Sequence, residues 1–177
     1  MKQLILNWRN DGIAPQQPCF PEGVELKTFP QLQNGEKAWL DIVRYMYPGE
    51  QEITEKGFYD RVMIARPYYD EKMCYFLMVN GEPAATITVI CDYGAKNGYI
   101  HMVSCKPQFR GKGLGTLMNV IAVDVLKTAG MQTAYLTTDD WRIPAIKSYL
   151  KAGFLPDLES EPDYKERWNK IYDIIRG

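Results

Sequence analysis

"YIHMVSCKPQFRGKGLGTLMNVIAVDVLKTAGMQTAYLTT", Tyr99–Thr138, carries in succession a strand, a glycine-rich loop, an amphipathic helix and a second strand. Leu117, Met118, Ile121 and Val125 recur at helical spacing, and Gly130 supplies the stop. A strand–helix–strand unit of this kind favours parallel pairing of its strands through a right-handed crossover. The loop "QFRGKGLGT" (Gln108–Thr116) puts Gly111, Gly113 and Gly115 where the strand hands over to the helix. Glycine is conformationally expensive there, so the loop needs unusual backbone angles or close approach by another group. The N–H groups that open a helix lack intrahelical partners, and the helix dipole makes that end positive. Together these features predict an anion site, and the loop is read as gripping a pyrophosphate.

Upstream, "CYFLMV" (Cys74–Val79), Asn80-Gly81 and "EPAATITVIC" (Glu82–Cys91) give the clearest hairpin signal, because both turn residues tolerate positive φ. Leu4–Trp8 and Val24–Phe29 read as two further strands, separated by the proline-rich Asp11–Gly23. Gly35–Met46 reads as a helix with Trp39, Ile42, Val43 and Met46 on one stripe, and Ile53–Ala65 as its helical resumption up to Pro67. Downstream, Ile143–Ala152 is a short helix ended by Gly153, with Asp139 and Asp140 as its expected caps. A last helix closes the chain, with Ser160 and Asp163 as an expected capping box and an apolar face of Trp168, Ile171, Tyr172 and Ile175. Hairpins first, then a β-α-β unit, then helices, predict an α+β fold: a mixed, largely antiparallel central sheet flanked by helices. The expectation is one domain over 1–177, with 1–22 as N-terminal strand and connection and 74–156 as the cofactor-binding core.

The 177 residues are 46% hydrophobic and 24% charged, an ordinary composition for a globular domain. A formal net charge of −1 provides no global field to recruit nucleic acid or an anionic membrane. Arg110 with Lys112 makes a local basic spot suited to a small polyanion. The four cysteines (Cys19, Cys74, Cys91, Cys105) form no C-x-x-C pair, and a single histidine argues against a zinc site. No run approaches the ~20 apolar residues of a membrane span, and the first apolar run is too short for a signal peptide. A reduced, cytoplasmic protein without a metal is expected.

The loop excludes one phosphate motif and disfavours another. A Walker loop needs G-x-x-x-x-G-K-[ST], which is absent. A dinucleotide fingerprint needs G-x-G-x-x-G with an acid about 20 residues on, where Gln132 and Thr133 stand instead. What fits is R-x-x-G-x-G, Arg110–Gly115, preceded by "VSCKP" and followed downstream by "AIKSYLKAGF" with Tyr149, Gly153 and Phe154. These segments, with the hairpin-then-strand order before them, resemble the GNAT superfamily of N-acetyltransferases over roughly Cys74–Pro156. One departure is Arg142, where the family often has an asparagine that contacts the cofactor.

The resemblance implies acetyl-coenzyme A as cosubstrate, its pyrophosphate on the main-chain donors of Arg110, Gly111, Lys112, Gly113, Leu114, Gly115 and Thr116. It implies a pantetheine arm laid like an extra strand beside Val103, Ser104 and Cys105, with the Val103 N–H polarising the thioester oxygen. Strand alternation places Tyr99, His101 and Val103 on one face, and the family's base often sits at the position of Tyr99 or His101. His101, with an ordinary pKa of ~6.5, is the expected base, and Tyr149 the expected acid for the departing thiolate. Cys105 lies near the expected thioester, yet an apolar strand cysteine without an adjacent base is usually inert, which favours direct transfer. The acceptor is expected to be a small-molecule or peptide amine. Tyr45, Tyr47, Phe58, Tyr59, Tyr68 and Tyr69 could line its pocket or serve as core, and Glu50, Glu52 and Glu55 could attract a cation or be solvated. Monomer and homodimer both stay open. The alternatives from other classes are a non-catalytic acyl-coenzyme A sensor and a nucleotide binder that ignores pantetheine.

Overall fold

The computed structural model describes residues 2–15, 17–46 and 57–177, with the β-α-β unit at its centre. Strand β5 (Asn97–Cys105) leads into helix α2 (Leu114–Thr128) and strand β6 (Thr133–Thr138), and β5 pairs with β6 in parallel. On the other side β5 pairs with β4 (Glu82–Asp92), which forms the Asn80-Gly81 hairpin with β3 (Cys74–Val79), and β3 pairs with β2 (Val24–Thr28). The first strand, β1 (Leu4–Arg9), lies between β6 and the two-residue β7 (Leu155–Pro156). The order is therefore β2-β3-β4-β5-β6-β1-β7, and every pairing but β5–β6 is antiparallel. This is the mixed, largely antiparallel sheet expected from the sequence.

Helices cover both faces. Met118, Ile121 and Leu126 of α2, with Ile146 of α3 (Ile143–Lys151) and Trp168 of α4 (Tyr164–Arg176), bury one face against Ile87, Val89, Ile100 and Leu136. Trp39, Ile42 and Val43 of α1 (Gly35–Val43) pack on the other face with Met63, Phe76 and Met102. Gly98 sets how closely α2 sits on β5: a Cβ there would stand 2.2 Å from Leu126 Cδ2.

Three local expectations are corrected. The helix read over Ile53–Ala65 lies partly outside the described residues, and its described part contains a π-helical turn, Asp60–Ile64. Ser160 does not cap α4: its hydroxyl donates to Asp157, and Asp163 precedes the helix with no capping side-chain bond. Asp139 and Asp140 do not cap α3 either. Arg142 holds that position, Asp139 pairs with it, and Asp140 pairs with Arg167 of α4. In each case an ion pair or turn claims the carboxylate or hydroxyl before the helix N–H groups do.

Candidate functional site

Pairing between β5 and β6 stops at Ile100–Leu136. Beyond it, β6 stays on β1 through Leu4–Thr138, while β5 stays on β4 through Ser104–Thr86 and Cys105–Ala85. The two strands thus part into a fork, and among the described residues the edge of β5 that faced β6 has no partner strand beyond Ile100. A cavity of about 450 Å³ opens there, lined by Met102, Val103, Leu136 and Thr137 among others.

At the mouth of the fork β5 carries an extra residue. Opposite Thr86–Thr88 the register jumps from His101 to Ser104, and Met102 has φ +54°. A bulge interrupts alternation, and this corrects the expected face of Val103. Tyr99, His101 and Met102 look toward the α1 side, where His101 meets Val62 and Met102 joins the cluster of α1. Val103 turns to the α2 side with Ile100 and Cys105.

His101 is buried, and both ring nitrogens have partners. Nε2 lies 3.0 Å from the Val62 carbonyl, and Nδ1 lies 3.2 Å from the Tyr99 hydroxyl. A carbonyl only accepts, so Nε2 carries the hydrogen and Nδ1 accepts from Tyr99. The Val62 carbonyl is available because of the π-helical turn. Its α-helical partner, the Arg66 N–H, bonds to Met63 instead, and residue 67 is proline with no N–H to give. The same oxygen also receives Arg66 Nε at 3.4 Å. Burial, with the Arg66 charge adding to it, pulls the His101 pKa down to about 4 against the upward pull of the Val62 bond. The imidazole is therefore neutral across the physiological range.

Tyr149 of α3 reaches the same cavity from the α2 side, edge-on to Phe154. Burial pushes its phenol up to about 12, partly opposed by the positive charge of Arg142. The group stays protonated at neutral pH and has a nearby cation to steady the phenolate left when it gives its proton away. Arg142 Nε lies 2.9 Å from the Asp139 carboxylate, and its guanidinium sits over Trp141 at 4.7 Å from the ring centre. Gln3, just before β1, donates to Asp139 and closes that wall.

The glycine loop is where the sequence puts it. Gly111 and Gly113 have φ +76° and +79°, and Gly113 precedes α2 with no side chain capping the helix. A Cβ on Gly111, Gly113 or Gly115 would meet nothing within 4 Å. Glycine at 115 is thus not demanded by packing, and its backbone angle is not of the left-handed kind. Open space at the Gly111, Gly113 and Gly115 Cβ positions, beside a helix start that no side chain caps, suits an anion such as a pyrophosphate. Arg110 Nε donates to the Cys105 carbonyl, fastening the loop to the end of β5, and Lys112 lies over the Phe109 ring. The Ser104 hydroxyl donates its proton to the Ile42 carbonyl of α1, so it has no proton left to give a ligand. Burial raises the Cys105 thiol despite Arg110, and its Sγ donates to the Lys106 carbonyl, which makes it a poor nucleophile.

The structure thus brings His101, Tyr149 and Val103 to one cavity and hangs the loop from the end of the same strand. Among the described residues, it does not bring the suggested aromatic lining there. Tyr59 is buried against Trp39 and Phe29, its hydroxyl bonded to Tyr69, while Tyr45 and Tyr68 are exposed elsewhere. Tyr47, Glu50, Glu52 and Glu55 lie outside the described residues. Of this region's described residues, Met46 and Arg66 line the cavity. Gln3 and Arg66 gave no sequence signal, since each reaches the cavity through long-range packing. Among the described residues no cluster of three or more His, Cys, Asp or Glu could hold a metal, and no helix is long and apolar enough to cross a membrane.

A parallel β-α-β unit, a forked strand pair and an open, glycine-lined helix start together make up the candidate site. Residues 39–154 match the acetyltransferase (GNAT) family, and the chain belongs to that family. A mycothiol acetyltransferase of Streptomyces griseus is 27% identical over 141 residues, 78% of this chain and 45% of that protein. The chain spans about half the length of the curated relatives it matches. Among solved structures, a GCN5-related N-acetyltransferase from Sphaerobacter thermophilus superposes with a TM-score of 0.68 at 19% identity, covering 89% of this chain and 50% of that one. One from Kribbella flavida superposes with a TM-score of 0.57 at 20% identity, covering 88% and 55%.

Proposed function

We propose that this protein transfers an acetyl group from acetyl-coenzyme A to a primary amine by direct attack in a ternary complex. The observation that carries the reading is the helix start kept clear at Gly111, Gly113 and Gly115, tied by Arg110 to a strand edge that has lost its partner. Main-chain donors of Arg110–Thr116 would hold the diphosphate, and the free edge of β5 at Val103–Cys105 the pantetheine amides. When bound, the cosubstrate supplies a thioester carbonyl as electrophile.

The residues then divide the proton traffic. The Val103 N–H donates to the carbonyl oxygen as negative charge develops on it, a contact often worth ~3 kcal/mol. As the amine nitrogen bonds to the carbonyl carbon, its proton passes to the Tyr99 oxygen and the Tyr99 proton to His101 Nδ1. With Nε2–H fixed on Val62, Nδ1 is the ring atom left to receive it. Tyr149 protonates the sulfur as the C–S bond breaks. Cys105 takes no part, so no acyl-enzyme forms.

Thiol release from acetyl-coenzyme A with a panel of amines tests this reading, together with competition by ADP. Release should require an amine, and ADP should compete far more weakly than coenzyme A. Tyr149→Phe should lower kcat by roughly 10²-fold or more, the usual worth of a placed acid, and leave the acetyl-coenzyme A Kd unchanged. Full turnover in Tyr149→Phe would remove the acid from the scheme, and equal competition by ADP would remove the pantetheine site.

A further inference from the structure

The cavity wall around Tyr99 is more basic than the chain that builds it. Among the described residues, Arg66 and Arg142 line it with one carboxylate, Asp139, although the whole chain has a formal net charge of −1. Asp139 is already committed to Arg142, at 2.9 Å. Arg66 has no carboxylate partner among the described residues. Its Nε is held at 3.4 Å by the Val62 carbonyl, the oxygen that also fixes His101. Arg66 lines the cavity with this one nitrogen engaged, and its two terminal nitrogens have no hydrogen-bond partner among the described residues.

A planar pair of N–H donors beside a reaction centre matches a carboxylate in a way a point charge does not. The charge of Arg66 reaches the site: it adds to the burial that lowers His101 and partly opposes the burial that raises Tyr135. The same field disfavours the ammonium form of an entering amine, which must be neutral to attack. It also repels a plain alkylammonium ion from a wall whose sign it shares. An acceptor with its own negative group removes that repulsion and keeps the benefit to the nucleophile.

Building on the acyl-transfer reading, we infer that the acceptor is a primary amine bearing a carboxylate, with the carboxylate on the terminal nitrogens of Arg66 and the amine at Tyr99. Arg66 is then the residue that sets specificity, and Arg142, held by Asp139, provides a second positive charge on the same wall.

Matched acceptors differing in the carboxylate test it: glycine against glycinamide, β-alanine against β-alaninamide, and 6-aminohexanoate against hexylamine. Rates are referred to the concentration of neutral amine. The carboxylate member of at least one pair should show a kcat/KM at least tenfold higher, mainly through KM. Arg66→Gln should bring that ratio toward one, and Arg66→Lys, which returns charge without the fork, should restore part of it. Equal values within every pair, or a ratio unchanged by Arg66→Gln, would overturn the inference. So would a preference for O-phosphoethanolamine over β-alanine, which would give the wall to a phosphate. Calorimetric titration of the coenzyme A-saturated protein with the same pairs separates the two readings. Carboxylate- and Arg66-dependent binding without thiol release keeps the anion site and rejects acetyl transfer. Thiol release indifferent to the carboxylate does the reverse, and neither binding nor release with any acceptor rejects both.

Discussion

His101 shows how the fold changes what a residue type alone would suggest. The sequence offers one histidine, at a strand position near the expected thioester, and an ordinary pKa near 6.5 would make it a convenient base. In the fold, burial takes that value down to about 4, so the ring resists a full positive charge, and in the proposed scheme it takes the proton through Tyr99. The same depression ties folding to pH. Between about pH 6.5 and pH 4 the unfolded chain binds a proton at this ring that the folded chain does not, so protonation favours unfolding. The stability held above pH 6.5 should fall as pH drops, by about 2 kcal/mol at pH 5 from this group alone. The lowered carboxyls of Asp140 and Asp157 contribute in a separate window, since their stabilisation is lost only as pH falls below the usual carboxylate range. Urea unfolding of the wild type and His101→Gln at pH 7.5 and pH 5 measures the difference. The wild type should lose markedly more stability than the variant, and parallel losses would show that the ring titrates normally in the fold.

At the level of elements, the loop and helix of Arg110–Thr128 were legible because glycine spacing and apolar periodicity are local, and so was the Asn80-Gly81 hairpin. The bulge in β5 was not. Nothing in "YIHMVSCK" marks Met102 for φ +54°, because the jump in register is set by how β4 continues past Thr86 while β6 departs. The face assigned to Val103 was lost with it, as were Gln3 and Arg66, which lie far from the motif in sequence. The element that carries the cosubstrate reading also admits a test that packing cannot confuse. Gly115 lies in the first turn of α2 without a positive φ, and an added Cβ meets no protein atom within 4 Å. Gly115→Ala should therefore fold as well as the wild type or better, by up to ~1 kcal/mol, because alanine favours helix. Gly115→Val, also folded, should weaken coenzyme A binding at least tenfold by filling the phosphate approach. Calorimetry beside a thermal melt separates the effects, and unaltered affinity in a stable Gly115→Val would mean that the helix start holds no anion.

Across the whole molecule, the first strand is the piece least expected from its position in the chain. The family match begins at residue 39, yet β1 (Leu4–Arg9) lies inside the sheet, with β6 on one side and β7 on the other. Leu4, Leu6 and Trp8 are buried in the core shared with α2 and α4, and the Tyr164 hydroxyl of α4 donates to the Gln3 carbonyl. Loss of β1 would bare the edge of β6 along six paired positions, from Leu4–Thr138 to Arg9–Thr133, and strip β7 of its neighbour. An inner strand removed this way leaves unpaired backbone groups against an apolar face, a cost no side-chain repacking offsets. It also takes away Gln3, and with it the wall that holds Asp139 against Arg142. A chain beginning at Glu22 retains every motif by which the family is recognised, and it should nevertheless fail to give a cooperative thermal transition. In the intact chain, Leu6→Ala should cost about 2–5 kcal/mol, as buried leucines do. A shortened chain that melts cooperatively within a few degrees of the wild type would show that β1 is an accessory to the sheet, and that the fork between β5 and β6 is held open without it.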